Sequence, residues 1–245
     1  MRPVCLCIDE LDTATKSAMV GLLGQHFERV TAEVFEADLS DKTHVVVLLD
    51  EQNKPVGFST FAIYTAMGPS GEPATIVCSG DTIVAASARR SSMLPSAWVQ
   101  SVHELHKQIG NTGLYWLLIT SGYRTYRFLP VFVKAYYPGA GQNSTSDTVR
   151  CMHRLASERW GEQYNPETGT VRLANAQPLH PHLSEVPEGR QTDPHIAFFL
   201  GKNPGHADGD ELVSLACLNT DNLTPAGLRM LHAKPAALSG GGARG

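Results

Sequence analysis

Apolar residues along this chain fall into short runs and helical stripes, separated by polar punctuation. Residues 4–8 read as a strand. Asp12 or Thr13 then caps a helix through Phe27, because Ala18, Met19, Leu22, Leu23 and Phe27 recur at helical spacing. A shorter helical stretch follows over 31–39. Residues 44–50 and 56–67 flank the polar turn Glu51-Gln-Asn-Lys-Pro55, which predicts an antiparallel hairpin with a bulge permitted at Gly57. Gly68-Pro-Ser-Gly71 makes the next turn, and 74–88 is the third strand of a meander. Trp98, Val102, Leu105 and Ile109 share one helical stripe that Gly110 ends, and 114–120 is a continuous apolar run of the fully buried kind. Strand, helix and buried strand in that order predict a parallel crossover.

Beyond Ser121-Gly122, the segment 123–137 carries Phe128, Leu129, Phe132, Val133 and Tyr136 at helical spacing, with Pro130 at a kink or in a first turn. The least regular part is 139–193: a helix over 148–160, the turn Asn165-Pro-Glu-Thr-Gly169, a short strand over 170–173 and a loop rich in Pro and His. Residues 194–200 and 211–218 read as two strands that close the sheet, and 239–245 as a flexible tail.

Composition narrows the function. The chain has 245 residues, 42% of them hydrophobic, a formal net charge of −4 and a sequence pI near 6.2. That suits one domain with an embellishment and argues against a general nucleic-acid binder, which carries a basic excess. The longest apolar runs, 45–49 and 114–119, are far short of the roughly 20 residues that a membrane helix needs. The amino terminus lacks an apolar core with a small-residue cleavage site, so the cytoplasm is the expected compartment. Cys5, Cys7, Cys78, Cys151 and Cys217 are odd in number and scattered, as reduced buried thiols are.

The chemistry concentrates in Gly80-Asp-Thr-Ile-Val-Ala-Ala-Ser-Ala-Arg-Arg-Ser-Ser-Met-Leu-Pro-Ser-Ala-Trp98, an apolar strand running into a basic, small-residue turn that opens a helix. Such a junction presents backbone amides and guanidinium groups to a phosphorylated ligand. With the element order around it, this stretch resembles the GNAT (N-acetyltransferase) superfamily, over about the whole chain. The resemblance implies an α/β (α+β) fold: a mixed, mostly antiparallel sheet flanked by helices, in one acyltransferase domain over 1–238, with 139–193 inserted before the last two strands. In that family the turn R/Q-x-x-G-x-G/A holds the pyrophosphate and pantetheine of acetyl-CoA or a longer acyl-CoA. Here Arg90-Ser-Ser-Met-Leu-Pro95 stands in its place, with the arginine present and neither glycine.

The resemblance implies donor binding by Ala86, Ser87, Ala88, Arg89, Arg90, Ser91 and Ser92. The donor is then acyl-CoA or acetyl-CoA, or an acyl group on a carrier protein's phosphopantetheine, and no metal is called for. It also implies direct transfer of the acyl group to an amine of a small molecule or peptide. Asp81, the one carboxylate within its strand, is the candidate base. The family's thiolate-protonating tyrosine falls on Phe132, which cannot give a proton. Tyr126 and Tyr136, with Tyr123, are the candidate substitutes. A non-catalytic acyl-CoA-binding or partner-binding module of the same fold stays open, as does a homodimer.

Other constellations carry less. His103-Glu-Leu-His106 spaces its histidines three apart, whereas a zinc helix needs four, and reads as a solvated face. His180, His182, His195 and His206 lie around proline-broken loops that rarely fix metal geometry. Cys78 reads as a buried strand cysteine, and Cys5-x-Cys7 as two more pointing the same way.

Overall fold

The structure is a computed structural model and describes residues 1–89 and 91–233. In chain order the elements are β1 (Arg2–Cys7), α1 (Thr13–Leu23), α2 (Ala32–Ser40), β2 (His44–Leu49), β3 (Pro55–Met67), β4 (Pro73–Val84), α3 (Met93–Ile109) and β5 (Gly113–Thr120). There follow α4 (Tyr123–Tyr126), α5 (Phe128–Phe132), β6 (Tyr136–Tyr137), α6 (Ser146–Trp160), β7 (Tyr164–Asn165), β8 (Thr170–Val171), α7 (Pro181–Ser184), α8 (Pro194–Lys202), β9 (Glu211–Cys217) and α9 (Pro225–Leu231). The sheet runs β1-β2-β3-β4-β5-β9-β8-β7, with β6 also on β9. Among the described residues only β4 and β5 pair in parallel, and the 17-residue α3 is the crossover that parallel pairing requires.

Local signals set the helix ends. Asp12 accepts from Thr15 N–H at 2.6 Å to start α1, Thr31 accepts from Val34 N–H at 3.2 Å to start α2, and Gly110 ends α3 at φ +78°. Strand alternation then divides the core. Val46, Leu48, Phe61, Val77, Trp116 and Leu118 pack under α3. On the opposite face Val45, Val47 and Phe58 pack under α1 and α2, while Ala62, Ile76, Leu117 and Val213 pack under α6. Residues 139–193 therefore contribute α6 to that second helical layer. Among the described residues no helix is long and apolar enough to cross a membrane.

Several sequence expectations need correction. Residues 194–200 form α8 rather than a strand: the Asp193 carboxylate accepts from His195 and Ile196 N–H, Pro194 occupies the first turn, and Ile196 and Phe199 are buried at helical spacing. Among the described residues β9 is therefore the one strand after residue 193. Residues 123–137 are two short helices and then extended chain, and Tyr136 lies on β6. Remote polar groups capture that backbone: Asn222 bonds both the N–H and the C=O of Ala135, and Gln142 Oε1 accepts from Tyr136 N–H. The strand expected over 74–88 stops at Val84, because its partner β3 begins at Pro55 and its last rung is Ala85 N–H to Val56 O at 2.9 Å. Ala86, Ser87 and Ala88 form a 3-10 turn instead. His103 and His106 are not a solvated face: His103 lies between the carbonyls of Val99 and Leu218, and His106 Nδ1 is 2.9 Å from Thr75 Oγ1. The tail at 239–245 lies outside the described residues.

Candidate active site

The ladder between β4 and β5 ends at Cys78 and Leu117, although β4 continues to Val84 and β5 to Thr120. A bulge is the cause. Ser59 pairs with Thr82 and Phe61 with Ser79, so that Gly80 and Asp81 together oppose Thr60. The extra residue turns β4 away, while β5 stays in register with β9 through Thr120. At the root of the opening Trp116 Nε1–H donates to Ser79 Oγ at 2.5 Å, and Ser59 Oγ and Thr82 Oγ1 lie 2.8 Å apart.

The bulge aims Asp81 into a charged cluster on the α2 side of the sheet. A Cβ on Gly80 would lie 2.5 Å from Lys42 Cε and also against Thr60 Oγ1, so glycine makes room for the lysine. Lys42 Nζ donates to Asp38 Oδ1 at 2.7 Å and lies 3.7 Å from Asp41 Oδ2. Burial first, then the Asp38 charge, push Asp81 up to about 7, with Lys42 opposing. Glu211, at the first position of β9, belongs to the same cluster: burial, then Asp81 and Asp38, push it up to about 8. Asp38 Oδ2, Thr60 Oγ1 and, on β9, Ser214 Oγ are buried without a hydrogen-bond partner. Asp41 also accepts from Arg159 of α6 at 2.5 Å, tying the two helices together beside the opening. Below them Cys78 is buried and its thiol is pushed up to about 11, so it is inert.

Glu211 is the residue that sequence reasoning missed. Its one signal was a carboxylate opening an apolar run, and its neighbours Asp81 and Asp38 come from distant elements.

At the other end of the opening, the turn from β4 to α3 holds Ala88 buried and leaves Ala86, Ser87 and Arg89 exposed. Ser91 N–H donates to Ala88 O at 2.9 Å, Ser91 Oγ accepts from Met93 N–H at 3.2 Å, and Ser92 makes no side-chain cap. The positive end of a long helix thus faces the turn with its side-chain cap missing. Arg90 lies outside the described residues. Burial pushes His26 down against its bond to the Leu22 carbonyl, and Arg89, His180 and His182 add to the push, so these four side chains share one neighbourhood.

The tyrosines separate. Tyr126 is fully buried, its hydroxyl donating to Pro138 O at 2.9 Å, and Tyr136 Oη is 3.1 Å from His195 Nδ1. Tyr136 sits on β6, on the far edge of β9, with β9 and β5 between it and β4. Neither is brought to Asp81. Tyr123, which begins α4 just past β5 and shares one buried cluster with Tyr126 and Tyr136, differs in its hydroxyl, which is buried without a partner. Phe132 packs between Trp98 and Trp116, with ring centroids at 6.5 and 5.8 Å.

A strap from the insertion reaches across from α1 to α4. Glu28 N–H donates to Pro178 O and His180 N–H to His26 O, both at 2.9 Å. A Cβ on Gly122 would lie 2.8 Å from Leu179 Cδ1, and the Arg124 guanidinium donates to Leu183 O. The His180 and His182 rings stack at 5.9 Å. A surface cleft of about 480 Å³ adjoins the strap, lined by Arg29, Val34, Arg172 and Asp208 among others, and contains none of the residues expected from sequence. Among the described residues no group of three or more His, Cys, Asp or Glu could hold a metal ion.

No protein-family model matches the chain, and no curated protein does. Solved structures show a partial likeness. An acetyltransferase from Trypanosoma brucei is 16% identical, with 51% of this chain and 87% of that one covered at a TM-score of 0.36. A GNAT family N-acetyltransferase from Escherichia coli, in complex with CoA, is 16% identical over 47% of this chain and 62% of its own at 0.35. Glucosamine-6-phosphate N-acetyltransferase from Arabidopsis thaliana is 17% identical over 47% and 82% at 0.36. What this chain is similar to in each case is a general architecture, over about half of its length.

Proposed function

We propose that this chain is an N-acyltransferase that moves an acyl group from an acyl thioester to an amine within the opening between β4 and β5. The observation that carries the reading is the parting of these strands at a bulge whose own residue, Asp81, is a carboxylate held near neutrality. A carboxylate at about 7 is matched to taking a proton from an ammonium group at physiological pH. Asp81 is then the base that frees the amine, with Asp38 and Lys42 setting its charge. As nitrogen bonds to the thioester carbon and the carbon–sulfur bond breaks, the Tyr123 hydroxyl hands its proton to the departing thiolate and is reprotonated by the proton that the acylated nitrogen sheds.

The residues at the β4–α3 turn fit a phosphorylated donor. Arg89 supplies a guanidinium, Ser91 and Ser92 supply hydroxyls, and the start of α3 supplies the positive end of a helix dipole. CoA and carrier-borne phosphopantetheine share that chemistry. The amine acceptor enters from the side of α2, where Asp38, Asp81 and Glu211 favour a cation.

Titration calorimetry with acetyl-CoA, longer acyl-CoAs and acyl-carrier protein tests the reading, followed by mass spectrometry of a panel of amines. Donor binding with thioester-dependent acylation supports it. Binding without any acylation favours the non-catalytic module, and no heat with any donor overturns both.

A further inference from the structure

Outside the opening, on the edge strand β1, the structure pairs a thiol with an oriented base. Cys7 is the exposed last residue of β1 and lies opposite His44 across the β1–β2 ladder, with Sγ 3.7 Å from His44 Nε2. This corrects the expectation of a buried cysteine. It also separates Cys7 from the other four, of which Cys78 and Cys151 are buried and Cys5 and Cys217 partly so.

Thr43 Oγ1 accepts from Ile63 N–H at 3.0 Å and stands 3.3 Å from Phe61 O and 2.8 Å from His44 Nδ1. In the tautomer with its proton on Nδ1, donated to Thr43 Oγ1, His44 turns the Nε2 lone pair to the Cys7 thiol. The ring is held in plane by stacking on Phe61, with centroids 5.5 Å apart and planes at 12°. Nucleophile, base and orienting group stand in a row, which is the arrangement that activates a thiol on demand.

Charge around the pair selects the reactant. Glu10 accepts from Cys7 N–H at 2.7 Å, and Asp9 beside it is also exposed. These carboxylates push the thiol up, behind burial, while burial pushes His44 down; both members therefore rest neutral at pH 7, with the proton on sulfur. We propose that Cys7 and His44 form a thiol–disulfide exchange site for small disulfides that carry ammonium groups. Cys7 Sγ attacks one sulfur of R–S–S–R while His44 Nε2 takes the thiol proton, the S–S bond breaks, and His44 returns that proton to the leaving R–S⁻. The products are a Cys7–S–S–R mixed disulfide and R–SH: Cys7 is oxidised and the leaving sulfur reduced.

The test uses the full chain with three probes, cystamine (cationic), hydroxyethyl disulfide (neutral) and dithiodipropionate (anionic), and peptide mapping of the adduct. Cystamine should modify Cys7 first, about tenfold faster than dithiodipropionate at low salt, with the gap closing near 1 M salt as screening sets in. His44→Gln should slow the reaction about tenfold or more at pH 7 and leave it unchanged near pH 10, where the thiolate forms without a base. First modification at Cys5 or Cys217 would overturn the proposal. So would an equal rate for His44→Gln at pH 7, or a slowing that persists at pH 10 and so marks His44 as a structural prop only.

Discussion

Glu211, at the start of β9, and Asp81, at the bulge of β4, share one buried environment: after burial, the Asp81 charge is the largest influence that pushes Glu211 up to about 8. The pair resists carrying two negative charges, and Lys42 offers partial relief to each. The predictions below follow mainly from this pair and from the opening it borders.

Acylation should rise with pH through about 7 as Asp81 loses its proton. Asp81→Asn should remove that limb and lower kcat about a hundredfold or more, with the donor Kd unchanged. Lys42→Met removes the cation that opposes the upward push, so the limb should move to higher pH. A limb that stays put in Lys42→Met would detach the lysine from the base.

Stability should fall between about pH 4 and pH 8. Asp81 and Glu211 have folded values of about 7 and about 8 against ordinary values of 3.8 and 4.5, so in that window the folded chain holds protons that the unfolded chain has released. Their burial is therefore harmless below pH 4 and costs stability as pH rises through the folded values. Glu211→Gln should raise the stability at pH 8 by on the order of 2 kcal/mol and change little at pH 4, read from urea unfolding at the two pH values.

Tyr123→Phe should separate activity from stability. The hydroxyl is buried without a partner, so its removal should raise the unfolding free energy by about 1 kcal/mol. Loss of the proton donor should at the same time lower kcat about a hundredfold. Tyr126→Phe, which deletes a satisfied bond to Pro138 O, should instead destabilise by about 1 kcal/mol and spare the pH profile.

Arg89→Ala should weaken acyl-CoA binding about tenfold and leave kcat at saturating donor near its original value. Calorimetry at low and high salt checks this, since a phosphate contact loses strength as salt rises. An unchanged Kd at low salt would remove Arg89 from the donor site.

The amino-acid sequence determined the regular parts of this protein because their signals are local. Apolar runs, the polar turn at 51–55 and helical stripes placed β1 to β5 and the first three helices, and the strand–helix–strand order foretold the parallel pairing of β4 with β5. Asp81 and the basic turn were also legible, as residue types conspicuous in their own strand and loop. Tertiary structure alone decided what those residues face. The β4 bulge joins Asp81 to Glu211 of β9, Asp38 of α2 and Lys42 of the turn after α2, and a carboxylate's affinity for protons depends on that company. Tyr136 left its helical pattern because Asn222 holds the backbone of Ala135 and Gln142 that of Tyr136, in extended form. Tyr123 stands out among the tyrosines only because its neighbours leave its hydroxyl unpaired. Secondary structure follows from neighbours along the chain, whereas proton affinity and hydrogen-bond satisfaction follow from neighbours in space.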